Sequence, residues 1–185
     1  MFFLSSILLL FSFSVLARPR PLTNLDKGEE LQMAGQKTLF RKGSAIHRRF
    51  VFDIYELTLY LQHPNYGPEE IISSCETKFA RLKFLRDLKA GDIRDGFEQS
   101  FRENCLSHCE NLSPQLKVFL ESIHDMSEGS VIEFSFHTDK TVISMLAKNT
   151  VTFPGIEFGK IFLRSWVGSA PPSERFRRDL LGICR

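Results

Sequence analysis

Four cysteines and a few scattered cations are the side chains in this 185-residue chain with the most obvious chemical potential. Cys105, His108 and Cys109 lie close enough to suggest half of a metal site, but no second pair of ligands recurs at finger-like spacing, so no metal is expected. With Cys75 and Cys184 the thiols allow three complete pairings, and structural bridges or buried free thiols are the expected forms in an oxidising compartment. No nucleophile lies in a base-bearing motif, and no phosphate-cradling glycine loop or dinucleotide fingerprint occurs, so no cofactor is expected. Arg48-Arg49 and Arg175, Arg177 and Arg178 are short basic clusters. With 24 Lys and Arg against 22 Asp and Glu, a net +2, they read as solvated faces and make no electrostatic case for nucleic acid. Tyr55 sits in an apolar run, where a phenol serves either as a singly hydrogen-bonded core residue or as a donor in a dry pocket.

The elements that would position these groups follow from punctuation and period. Leu31 to Gly35 and Lys37 to Arg41 read as short strands, and Gly43-Ser44 as a turn into a long strand from Phe50 to Gln62 that is apolar on both faces and therefore expected to be covered on both. Glu69 to Ser74 forms a helical turn and Lys78 to Leu85 a strand. From Asp92 the period changes: Ile93, Phe97, Phe101 and Cys105 recur every fourth residue along an amphipathic helix. A second helix is expected from Ser113 as N-cap with Pro114 at its first position, carrying Leu116, Phe119, Leu120 and Ile123. Strands follow around Ile132 to Phe136, Val142 to Ala147 and Thr150 to Phe153, the first two as a hairpin. Helices over Glu157 to Val167, with Trp166 in its apolar stripe, and Ser173 to Leu181, ended by Gly182, complete the chain. The order β-β-β-α-β-α-α-β-β-β-α-α argues an α+β fold, one curved sheet covered by helices on one face.

Residues 1–17 form an uncharged apolar stretch closed by Val15-x-Ala17, a secretory signal by pattern, although no Lys or Arg precedes it. The run is shorter than the roughly 20 residues a membrane-spanning helix needs. Export with cleavage is expected, leaving a Pro-rich leader over 18–30 and one domain over 31–185, with no stable membrane insertion once the signal is gone.

Several spaced motifs resemble the chalcone isomerase-like proteins, specifically their small exported bacterial branch. They are Tyr55-x-x-x-x-Tyr60-Leu61, Phe84-Leu85-Arg86-Asp87, Leu112-Ser113-Pro114, Pro154-Gly155-x-x-Phe158 and Trp166-x-Gly168-x-x-Pro171, running on to Leu180-Leu181-Gly182. The resemblance implies an open-faced β-sandwich, a large antiparallel sheet under a layer of helices, with a ligand pocket between the long strand and the helices. Tyr55 stands where the plant isomerases carry a threonine that helps polarise the substrate ketone, which counts against isomerase chemistry. The pocket arginine of similar proteins falls on His47 by spacing, and Arg48 or Arg49 reaches that position only with a register shift. Arg86 lies in a family-like motif, or is simply a strand-end residue paired with a carboxylate.

Tyr55, His47, Arg48, Arg49 and Arg86 are thus the candidate ligand-binding residues, and no catalytic residue is assigned. The resemblance implies an exported, non-catalytic binder of a small amphipathic molecule such as a fatty acid. The 18 phenylalanines permit apolar pocket walls while mostly filling the core. The alternatives are an isomerase of the intramolecular lyase type acting on an enone, for which Tyr55 would be one preorganised donor, and an envelope interaction module. The family favours the periplasm over the extracellular space. Oligomeric state is not legible.

Overall fold

The computed structural model describes residues 30–31, 38–145 and 149–183. The expected signal over 1–17, nearly all of the expected leader over 18–30, most of the first expected strand, Ala147 and Cys184 lie outside them. Strands β1 (Glu30–Leu31), β2 (Leu39–Arg49), β3 (Phe52–Leu61), β4 (Lys78–Phe84), β5 (Val131–Phe136), β6 (Lys140–Met145) and β7 (Asn149–Pro154) form one sheet in chain order, each antiparallel to the next. Helices α1 (Pro68–Ser73), α2 (Ala90–Asn104), α3 (Cys109–Glu121), α4 (Glu157–Val167) and α5 (Glu174–Leu181) complete the expected order and the α+β class.

The two faces of the sheet differ because side chains alternate along each strand and directly paired residues share a face. Leu57, Leu59 and Leu61 of β3 pair with Leu82, Ala80 and Lys78 of β4, and these continue into Ile132, Phe134 and Phe136 of β5. This face packs against the helices. Phe134 meets Phe162 at 5.0 Å and Trp166 at 5.2 Å, while Phe119 meets Phe97 at 4.9 Å and Phe158 meets Phe153 at 4.5 Å. Interlocking aromatic rings of this kind add edge-to-face attraction to the burial of large apolar areas. Trp166 is buried among them, as its place in the α4 stripe predicts.

The opposite face is not covered throughout, contrary to the expectation for the long strand. A small cluster of Leu31, Leu39, Tyr60 and Phe79 buries one end of it, whereas Glu56 and Thr58 are only half-buried. Polar pairs occupy this face, including Ser44 with Thr58 at 2.7 Å and Arg81 with Glu133 at 3.9 Å.

Three boundaries depart from the sequence reading. Gly43 is not a turn residue but lies inside β2, where a Cβ would come within 2.5 Å of the Leu180 carbonyl oxygen. Its lack of a side chain lets the α5 backbone lie against the strand. The chain instead reverses at Phe50-Val51, with Arg49 paired to Phe52, so the long strand starts two residues late. Helix α3 begins at Cys109 rather than after Ser113, whose hydroxyl donates to the Cys109 carbonyl at 3.0 Å, and Pro114 falls inside the helix. The Cys105–Cys109 disulfide spans the short link between α2 and α3, with His108 in the left-handed region at φ 55°. Those two sulfurs, raised above as half of a metal site, are bonded to each other, while Cys75 is free and exposed. Ser173 does cap α5, accepting from the Phe176 amide at 3.1 Å, and Gly182 ends it at φ 67°.

Candidate functional site

The β2–β3 hairpin carries four of the five candidate residues. Register places His47 directly opposite Tyr55, and their rings stand 5.0 Å apart. Tyr55 faces the helices, because its partner on the other side is the buried Phe84. Over it lies α5: Phe176 meets the Tyr55 ring edge-on at 6.1 Å.

Burial alone raises the Tyr55 phenol well above its ordinary value, with no charge or hydrogen bond contributing. By exposed surface the Tyr55 side chain is half-buried, packed against the edge of the core. Among the described residues none accepts from Tyr55. His47 is held neutral more firmly than an ordinary histidine, first by burial and then by the nearby Arg49 charge.

A bulge interrupts the β2–β3 pairing here without bringing Arg48 or Arg49 to the position of His47. It lies between His47 and Arg48 and sets Arg48 opposite Asp53. The two side chains pair there, so Arg48 is committed to a carboxylate at the exposed end of the hairpin. Arg49 is exposed beside it.

Arg86, two residues beyond the end of β4, has no carboxylate partner among the described residues, contrary to the strand-end reading. Its guanidinium carbon lies 4.5 Å from the centre of the Phe52 ring, a cation–π contact. Its Nε is buried without a hydrogen-bond partner. The end of the sheet at the hairpin therefore holds one buried donor lacking an acceptor, the Arg86 Nε, a half-buried phenol, Tyr55, and one further exposed cation, Arg49. Such a set suits an anionic oxygen group.

The wall side of the expected pocket is different. The inner residues Leu57, Leu59 and Leu61 are fully buried, and the Phe and Trp rings opposite the central strands pack on one another. A cavity of about 20 Å³ lies away from the hairpin, lined in part by Lys78, Thr141, Gly159 and Lys160. That is room for about one water molecule.

Sequence reasoning missed three participants. Asp53 and Phe52 hold Arg48 and Arg86, and Phe176 closes over Tyr55 from the far end of the chain. It also passed over Lys78, which is only 3% exposed and donates to the carbonyls of Ser74 at 2.7 Å and Glu76 at 3.0 Å. Its signal was in the alternation, since Lys78 shares a face with Ala80, Leu82 and Phe84.

Comparison with known proteins agrees with this architecture. The chain belongs to the chalcone isomerase-like family, which it matches over residues 24–182. No curated protein matches its sequence. Among solved structures, the fatty-acid binding protein AtFAP1 of Arabidopsis thaliana is similar, with a TM-score of 0.61 at 14% identity over 77% of this chain and 86% of that one. At such low identity the likeness establishes the shared fold. Among the described residues no helix is long and apolar enough to cross a membrane.

Proposed function

We propose that this chalcone isomerase-like protein is a non-catalytic binder of a small amphipathic acid, a fatty acid being the simplest example, and that it acts after export, in the periplasm. The observation that carries the reading is the buried, unpartnered Arg86 Nε at the sheet end where the half-buried Tyr55 also stands. A carboxylate accepts from both kinds of donor, and Arg49 supplies further compensating charge. His47, kept neutral by burial, adds a polar edge without a second buried charge. The fatty-acid binding function of AtFAP1, on the same fold, supports the ligand class.

The tail requires space that the aromatic core does not leave open. A ligand pocket ordinarily spans about 300–1,000 Å³. The element able to release such space near Tyr55 is α5, only eight residues long, whose Phe176 fills the room above the phenol. In this reading α5 moves off β2 and the acyl chain takes the place of Phe176.

Calorimetric titration of the purified mature chain with a medium-chain fatty acid and with the alkylamine of equal length tests the reading. The acid binds and the amine does not. Tyr55→Phe weakens acid binding by about tenfold, the scale of one hydrogen bond to a charged group. Equal binding of acid and amine, or no binding of the acid, overturns it.

A further inference from the structure

The tip of the β2–β3 hairpin contradicts the usual chemistry of a tight turn. Two-residue hairpin turns favour Asn, Asp and Gly, because positive φ is costly for residues with a large side chain. Here the two turn residues are Phe50 and Val51, and Phe50 takes φ 56°. Neither gains burial in return: Phe50 is 90% exposed, Val51 86% and the following Phe52 53%. Three consecutive apolar side chains thus project from a protruding turn, next to the exposed Arg48 and Arg49.

We infer that this tip is a membrane-docking wedge, which inserts Phe50 and Val51 among the lipids of an anionic bilayer while Arg49, beside the Arg48–Asp53 pair, meets the phosphate headgroups. A convex turn with apolar residues at its apex and cations at its base matches the layering of an interface, apolar below and anionic above. Phe is well suited to the apex because a ring placed there leaves the water without needing a polar partner. The guanidinium of Arg86, stacked on Phe52, braces the base of the wedge from within. A flat protein partner would be met by a flat patch, whereas this one is a narrow projection with a cation at its base. The inference does not depend on the ligand proposed for Tyr55.

Flotation with vesicles of phosphatidylcholine containing about one-third phosphatidylglycerol, free of fatty acid, tests it. The protein floats with these vesicles, less so in high salt and less so with pure phosphatidylcholine. Phe50→Asp lowers the vesicle-bound fraction by at least about tenfold, the order expected from removing one inserted aromatic side chain and adding a charge. Phe50→Gly has the same direction of effect and serves as the control for folding, since glycine relieves the positive φ and leaves the turn at least as stable. Fatty-acid titration of that variant remains at the level of the parent. Absence of flotation, or flotation that Phe50→Asp leaves intact, overturns the inference. So does a dimer in sedimentation that Phe50→Asp dissolves, which would make the tip a contact between two copies of the chain.

Discussion

Lys78 offers a quantitative test of the packing at the end of the sheet away from the hairpin. Register places it opposite Leu61 and Phe136 on the helix-covered face, where burial, against the smaller attraction of Glu76, lowers its ammonium pKa from the ordinary 10.5 to about 8. At 1.36 kcal/mol per pH unit, keeping it charged in the folded protein costs about 3 kcal/mol relative to the unfolded chain. Between pH 8 and 10.5 the unfolded chain holds a proton on this amine that the folded protein has released, so stability rises with pH over that window and is flat with respect to Lys78 below it. Replacing Lys78 by Met keeps the stem and removes the charge, but strands the Ser74 and Glu76 carbonyls, at about 1 kcal/mol or more each unless water enters the adjacent cavity. Near pH 7 the two effects largely offset each other. The diagnostic is therefore the slope, measured by urea unfolding followed by circular dichroism at pH 7, 8, 9 and 10. The native protein gains stability above pH 8 and Lys78→Met does not. Measurement stops near pH 10 because Tyr55, whose folded pKa is raised, loses its contribution as pH climbs past the unfolded phenol value. An equal slope in both proteins would refute the assignment of the buried charge.

Gly159→Ala places a Cβ within 2.3 Å of the Thr141 Oγ1 and 2.9 Å of a Phe136 ring carbon, so α4 must lift from the sheet. The expected cost is about 1–3 kcal/mol, read as a fall of several degrees in thermal midpoint by calorimetry. Removing the Cys105–Cys109 bridge by double serine substitution lowers urea stability by no more than about 2 kcal/mol, because the two residues are only four apart and the loop closed is short. His47, held below its ordinary pKa by burial and then by Arg49, remains neutral in the folded protein while the unfolded chain protonates. Stability is thus lost as pH falls below about 6.5, the ordinary histidine value, and His47→Gln shows a shallower loss over the same range in acid titration by circular dichroism.

The order of elements was legible because period and punctuation agree along most of the chain. The four-residue spacing of Ile93, Phe97 and Phe101 and the alternation of Ile132, Phe134 and Phe136 each admit one reading, and the structure bears both out. Glycine was ambiguous in the way that matters. Gly43 looked like a turn, yet its absent side chain serves the approach of α5, a helix more than a hundred residues later, and local pattern carries no trace of that contact. The true turn was hidden for the opposite reason: Phe50-Val51 has the composition of a strand interior. Ser113-Pro114 has the chemistry of a helix start, but α3 starts earlier, just past the disulfide that ties Cys109 to the preceding helix. Within the site, pairing of His47 with Tyr55 follows from the hairpin once its turn is known. The packing of Phe176 against the Tyr55 ring does not, since it depends on α5, far along the chain.

These features divide the molecule along the sheet. Around Phe134, Phe162 and Trp166 the interior is a continuous lattice of rings, and any opening there would sacrifice many contacts at once. At the hairpin end the helix-facing side is closed by α5, an eight-residue helix anchored by Phe176, Leu180 and Leu181. A short helix held by three buried side chains has fewer anchors to give up than the ring lattice. Tyr55 lies against that helix rather than within the aromatic lattice, and the exposed Phe50 turn projects from the same end. On the binding reading proposed above, Tyr55, helix α5 and the apolar tip share one end of the sheet, so an amphipathic acid leaving a bilayer under the tip would travel only along β3 to reach Tyr55.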